Sequence, residues 1–100
     1  MLRYVLAMIK SFATKETAAI FSGVTVRKIS DEIQRIARRK LLQLDVVQFL
    51  DELRIPPGNR LEELKGNRKG QWSIRVNDQW RICFTWDNGD VFDVELVDYH

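Results

Sequence analysis

Apolar residues recur along this chain with two different periods, and the change of period divides it. Val26, Ile29, Ile33, Ile36, Ala37 and Leu41 follow one another at steps of three and four. That spacing predicts an α-helix with one apolar stripe. Ahead of it, Thr14–Phe21 favours a first helix, with Ala18, Ala19 and Ile20 in its body and Gly23 as its stop. Ile9–Phe12 reads as a short opening strand. Beyond Gly70 the period falls to two. Trp72, Ile74 and Val76 alternate with Ser73 and Arg75, and Trp80, Ile82, Phe84 and Trp86 alternate with Arg81, Cys83 and Thr85. Phe92, Val94 and Leu96 alternate with Asp93, Glu95 and Val97. Asn77-Asp78-Gln79 and Asp87-Asn88-Gly89-Asp90 supply the turns. The expectation is a three-stranded antiparallel meander with one apolar face.

The middle of the chain is less regular. Asp45 is placed to cap a further short helix through Phe49, Leu50 and Leu53. Pro56-Pro57-Gly58-Asn59 ends it. Arg60–Gly70 reads as a basic, flexible loop. Together these elements predict an α+β domain, an antiparallel meander with two main N-terminal helices packed on one face.

Composition narrows the class. Nothing repeats, and 100 residues suit a single domain over residues 1–100. A 45% hydrophobic and 30% charged balance excludes a disordered chain. The apolar start, Met1–Met8, is broken by Arg3 and too short to span a bilayer, so no membrane role is expected. Cys83 is the single cysteine, which excludes an internal disulfide and a cysteine-based zinc site, and suggests a reducing compartment. A cytoplasmic protein is expected. One histidine and no cysteine pair give no zinc site, and no phosphate-binding or dinucleotide glycine pattern is present. No metal or cofactor is expected.

Charge is informative through its distribution. Residues 1–50 carry nine basic and four acidic side chains, whereas residues 70–100 carry two and six. A basic region can steer a protein toward nucleic acid, although a solvated helix surface accounts for it as well. Arg35, Arg38, Arg39 and Lys40 fall near the expected end of the second helix, where cations complement the helix dipole.

The polar parity of the meander is the candidate site. If Val76 faces Trp80 across the first turn, Arg75 faces Arg81. Two like charges in register destabilise a sheet unless an anion joins them. An arginine fork suits phosphate. With Lys65, Arg68 and Lys69 of the preceding loop, five cations would converge on one patch. The alternative is that Asp93 and Glu95, on the third strand, neutralise Arg75 and Arg81. The chain ends Asp98-Tyr99-His100. His100 is suited to proton transfer near neutral pH, and Tyr99 to stacking a base or bonding a phosphate. The three tryptophans lie on the apolar parity and are expected in the core.

Several segments together resemble one family. Met8-Ile9-Lys10-Ser11-Phe12, Leu64-Lys65-Gly66-Asn67-Arg68-Lys69-Gly70-Gln71-Trp72-Ser73-Ile74, Val76-Asn77-Asp78-Gln79-Trp80-Arg81-Ile82-Cys83-Phe84 and Val97-Asp98-Tyr99-His100 are similar to stretches of HigB-type toxins of the RelE/ParE superfamily. The resemblance covers nearly the whole chain and implies the RelE fold. It also implies a metal-independent endoribonuclease that cuts messenger RNA in the A site of the small ribosomal subunit. There the ribose 2′-hydroxyl attacks the adjacent phosphate. By the same resemblance His100 exchanges the proton, Lys65, Arg68 and Arg81 stabilise the phosphate, Tyr99 orients the nucleotide and Asp98 the chain end. Lys69 and Arg75 are expected to add RNA-binding charge.

The implied partner is a HigA-type helix-turn-helix antitoxin, through which alone the toxin meets operator DNA. Two departures stand out. Glu62 occupies a position, three before Lys65, where some members carry histidine, and residues 1–7 read as an N-terminal extension. The competing readings are a ParE-like gyrase inhibitor on the same fold and a non-catalytic binding or corepressor module.

Overall fold

The computed structural model describes residues 8–99. Helix α1 (Lys15–Phe21) starts where Thr14 accepts a hydrogen bond from the Thr17 backbone N–H. It ends where Gly23, at φ 87°, lets its own N–H and that of Val24 reach back to the Ile20 and Ala19 carbonyls.

Helix α2 (Asp31–Val46) is shifted from the expected stripe. Ser30 caps it by accepting from Ile33 N–H, and Asp31 and Glu32 stand in the first turn, where the dipole favours anions. Val26 and Ile29 therefore precede the helix. They keep apolar contacts because the buried Gln34 side chain clamps their segment, accepting from Val26 N–H and donating to the Val26 and Ile29 carbonyls. Because α2 runs on to Val46, Arg38, Arg39 and Lys40 lie in its middle. The last turn holds no basic residue, so the dipole argument for that cluster fails. Gln34, Ala37, Leu41 and Leu44 form the buried stripe instead.

Asp45 is part of α2 and does not cap the next element. Its carboxylate accepts from the Met8 and Ile9 backbone N–H groups, each at 3.0 Å. The following 3₁₀ turn, Leu50–Arg54, begins at Phe49 without a side-chain cap.

The sheet has four strands rather than three. Strands β1 (Glu62–Glu63), β2 (Trp72–Arg75), β3 (Trp80–Asp87) and β4 (Asp90–Asp98) lie side by side in sequence order, all antiparallel. The 60–70 segment expected as a flexible loop thus contributes a strand and a 3₁₀ turn, Gly66–Arg68. Two exposed glutamates carry no alternation from which β1 could have been read. The opening segment makes only two isolated parallel bridges to β4, Ile9 to Val91 and Phe12 to Val94, not a strand.

The reason lies opposite it. Asp93 has φ 55°, and its N–H is taken by the Ser11 hydroxyl. This bulge interrupts the ladder and switches parity along β4. Val91 and Val94 both face the core at 0% exposure, whereas Phe92 is half-buried beside Thr85. The expected alternation of Phe92 with Val94 is thereby corrected.

The core joins Ile20 of α1 and Ala37, Leu41 and Leu44 of α2 to Ile74, Ile82, Phe84, Val91 and Val94 of the sheet. The buried Thr17 hydroxyl, which accepts from Leu96 N–H, ties α1 to β4. All three tryptophans pack against this core as half-buried residues.

Candidate active site

The face of the sheet opposite the helices is polar, and its register places residues from every strand. Glu62, Ser73, Cys83 and Glu95 form one cross-strand row. The next row is Arg75, Arg81 and Val97. The expected pairing of Arg75 with Arg81 is present, but the two guanidinium groups separate. Arg75 turns to Asp78 in the hairpin. It also lies near enough to Lys40 to contribute, after burial and Arg39, to lowering that ammonium's pKa.

Arg81 instead folds over the sheet. Its Nε donates to Ser73 Oγ at 2.8 Å and its Nη2 to the Arg60 carbonyl at 2.8 Å, with Glu62 3.6 Å away. Its side chain is 12% exposed, against 62% for Glu62. The guanidinium is therefore fixed by two neutral acceptors, and the carboxylate is its loosest partner. Arg68 lies in a similar cradle, donating to Gln71 Oε1 at 2.9 Å and to Glu95 Oε1 at 3.1 Å.

Tyr99 closes the group. The Arg81 guanidinium carbon lies 5.9 Å from its ring centroid, and its hydroxyl is 3.9 Å from the Cys83 sulfur. Its backbone N–H bonds the Gln79 carbonyl, and the Gln79 side chain donates to Asp98. Burial, then the neighbouring Cys83, pushes the Tyr99 hydroxyl above its ordinary range, so at neutral pH it remains a donor. Burial likewise raises the Cys83 thiol, against the opposing pull of Tyr99, Arg68 and Arg81. Burial works to lower Arg68, but the hydrogen bond it donates to Glu95 and the charges of Cys83, Glu95 and Tyr99 together outweigh it, and the guanidinium is held above its usual value.

Of the residues expected at the site, Arg68, Arg81 and Tyr99 are brought together. The convergence of five cations is corrected to two. Lys65 and Lys69 are exposed on the loop, and their side chains make no hydrogen bond or ion pair among the described residues. They line a shallow cleft of about 410 Å³ with Glu63 and Leu64. Glu95 neutralises Arg68 rather than Arg75 or Arg81, while Asp93 is diverted to the bulge, within 3.4 Å of the Ser11 hydroxyl. His100 lies outside the described residues, as does the expected extension at residues 1–7. No three His, Cys, Asp or Glu side chains gather at metal-binding distance among the described residues. Ser73 and Gln71, which position the two arginines, were not singled out from the sequence. The parity rule that placed Arg75 and Arg81 on one face puts Ser73 there too.

The four-stranded antiparallel meander with two helices on one face has counterparts among solved structures. The YoeB–YefM complex from Staphylococcus aureus superposes with a TM-score of 0.52 at 17% identity, covering 94% of this chain and 99% of that one. A heterotetrameric YoeB–YefM toxin–antitoxin complex from the same organism gives 0.53 over the same coverage, likewise at 17% identity. At that identity the likeness concerns the fold.

Sequence defines the family. Residues 10–100 match the RelE-like toxin of type II toxin–antitoxin system HigB, and the chain belongs to that family. It is 40% identical to Endoribonuclease HigB of Proteus vulgaris over 93% of this chain and 100% of that protein. It is 52% identical to Toxin HigB-1 of Vibrio cholerae over 63% of this chain and 66% of that protein. No helix among the described residues is long and apolar enough to cross a membrane.

Proposed function

We propose that this chain is the toxin of a type II toxin–antitoxin system, an endoribonuclease that cuts messenger RNA on the ribosome in the cytoplasm. The supporting observation is the Arg81 guanidinium, fixed by Ser73 and the Arg60 carbonyl, with the exposed Glu62 carboxylate held only loosely, 3.6 Å from Nη2, and the Tyr99 ring beside it. A phosphate can replace that carboxylate without loosening the arginine, which is the preorganisation that stabilises charge on a phosphate in flight.

In this reading the 2′-oxygen forms a bond to the adjacent phosphorus as the bond to the 5′-oxygen breaks, leaving a cyclic phosphate and a 5′-hydroxyl. Arg81 and Arg68 hold the phosphate oxygens, and Lys65, Lys69 and Arg75 add attraction for the strand. Tyr99 orients the nucleotide, Asp98 the chain end, and His100 exchanges the proton. Protein side chains do this work without a metal ion. The partner that holds the toxin in check is a HigA-type antitoxin, which also carries the pair to operator DNA.

Primer extension on a reporter messenger in a translation extract, with and without ribosomes, tests the reading. Cuts within codons that need the ribosome and vanish in His100→Ala are expected. Wild-type cutting by that variant removes His100 from the chemistry, and arrest of translation with intact messenger rejects the nuclease.

A further inference from the structure

A second groove opens on the helix side of the sheet, at the end that carries the candidate site. It encloses roughly 540 Å³ between α1, the segment before α2 and the start of β3. Its floor is apolar, made by Ala19, Val26, Ile29 and Trp80. Its rim carries Lys15, Arg27 and Lys28 against one acid, Glu16, and all four are exposed. None of the four enters a hydrogen bond or ion pair through its side chain among the described residues. The Arg27–Lys28 turn is nevertheless held in shape, because Gln34 clamps Val26 and Ile29 on either side of it.

The groove lies across the sheet from the candidate site, next to it along β3. Trp80 and Arg81 are consecutive on β3 and face opposite sides of the sheet. Trp80 pairs with Asp98, and Arg81 with Val97. The end of β4, which leads to Tyr99, lies between this indole, with three cations unpaired among the described residues, and the Arg81–Tyr99 pair. An aromatic floor with a cationic rim is what unpaired nucleotides need. Bases have flat apolar faces in any sequence, and the phosphates between them seek positive charge.

We propose that this groove holds the single-stranded RNA flanking the cut, one base against Trp80 and its phosphates along Lys15, Arg27 and Lys28, so that the strand passes round the end of β4 from one face of the sheet to the other. The inference rests on the nuclease reading above and adds a substrate contact on the opposite face.

The test titrates the purified chain with a short 2′-O-methyl RNA, which lacks the attacking hydroxyl, and follows tryptophan fluorescence over a range of salt. Wild type should bind with strong salt dependence. Arg27→Glu with Lys28→Glu, an exposed pair that spares the core, should weaken binding at least about tenfold. It should also lower the slope of log affinity against log salt by about 1.4, roughly 0.7 for each lost phosphate contact. Trp80→Leu, which keeps the floor apolar, should cost about tenfold.

Unchanged binding by the charge-reversed pair overturns the proposal, and so does absence of binding by wild type. If that pair keeps its RNA affinity but no longer joins the antitoxin, the groove is a protein-docking surface and the proposal falls. Failure of the nuclease reading is separate, because it appears as intact messenger in the translation extract with the wild-type chain.

Discussion

The two faces of the sheet are made by the same strands but held by different forces. On the helix face Ile74, Ile82, Phe84, Val91 and Val94 are fully buried, and burial of apolar surface dominates, with the Thr17–Leu96 hydrogen bond beside it. On the opposite face Ser73 and Cys83 are just as buried, at 0% exposure, yet what covers them is polar. Arg81 lies over the row and Tyr99 stands beside it, with Arg68 held at the Glu95 end. Each of those two cations is fixed by acceptors from separate parts of the chain: Arg60, Glu62 and Ser73 for one, Gln71 and Glu95 for the other. The contrast teaches that one face stores stability, while the other uses part of it to hold charges in a chosen geometry.

Phe84, fully buried on the helix face, is where a single truncation should cost the fold most. Truncation to alanine should remove about 3–5 kcal/mol, through lost burial and the cavity left behind. Chemical denaturation checks this, and a loss under about 1 kcal/mol would mean that the helix face is not close-packed there.

Arg81→Ala should act the other way. Cleavage in a translation extract should fall by about 10²–10³, the usual cost of one preorganised donor. Stability should fall only by about 1–3 kcal/mol, for the Ser73 hydroxyl left without its partner. A melting shift as large as that of Phe84→Ala, with cleavage retained, would reverse the roles assigned to the two faces.

The smallest effect is expected at Asp93, whose left-handed backbone sets which face each β4 residue takes. Asp93→Val should cost about 1–2 kcal/mol, because a β-branched side chain resists that conformation. Asp93→Gly should lie close to wild type, and thermal melts of the two variants would separate backbone strain from loss of the contact to Ser11.

Much of this arrangement was legible in the residues. The meander from Trp72 to Leu96, the first helix and its Gly23 stop, and the Arg75–Arg81 register all follow from spacing. Failures occurred where a side chain overrode the local pattern. Gln34 gathers Val26 and Ile29 into the core without making them helical, and Asp45 binds the chain start rather than capping a helix. The Ser11 hydroxyl meets Asp93 across a separation of 82 residues. No window of sequence contains both partners of such contacts.

The sequence by itself determined the first helix, the body of the second, the three strands of the meander and which positions of β2 and β3 share a face, because burial of one side is a local consequence of period. It also determined the family, through motifs spread along the chain. Which cations form a site was decided only by tertiary structure. Arg68, Arg75 and Arg81 look equivalent on paper, and each goes to whichever acceptor the fold places within reach. For Arg75 that acceptor is three residues away, in its own hairpin. For Arg81 they are Ser73 on the neighbouring strand and, from a short edge segment with no periodicity of its own, the Arg60 carbonyl and Glu62.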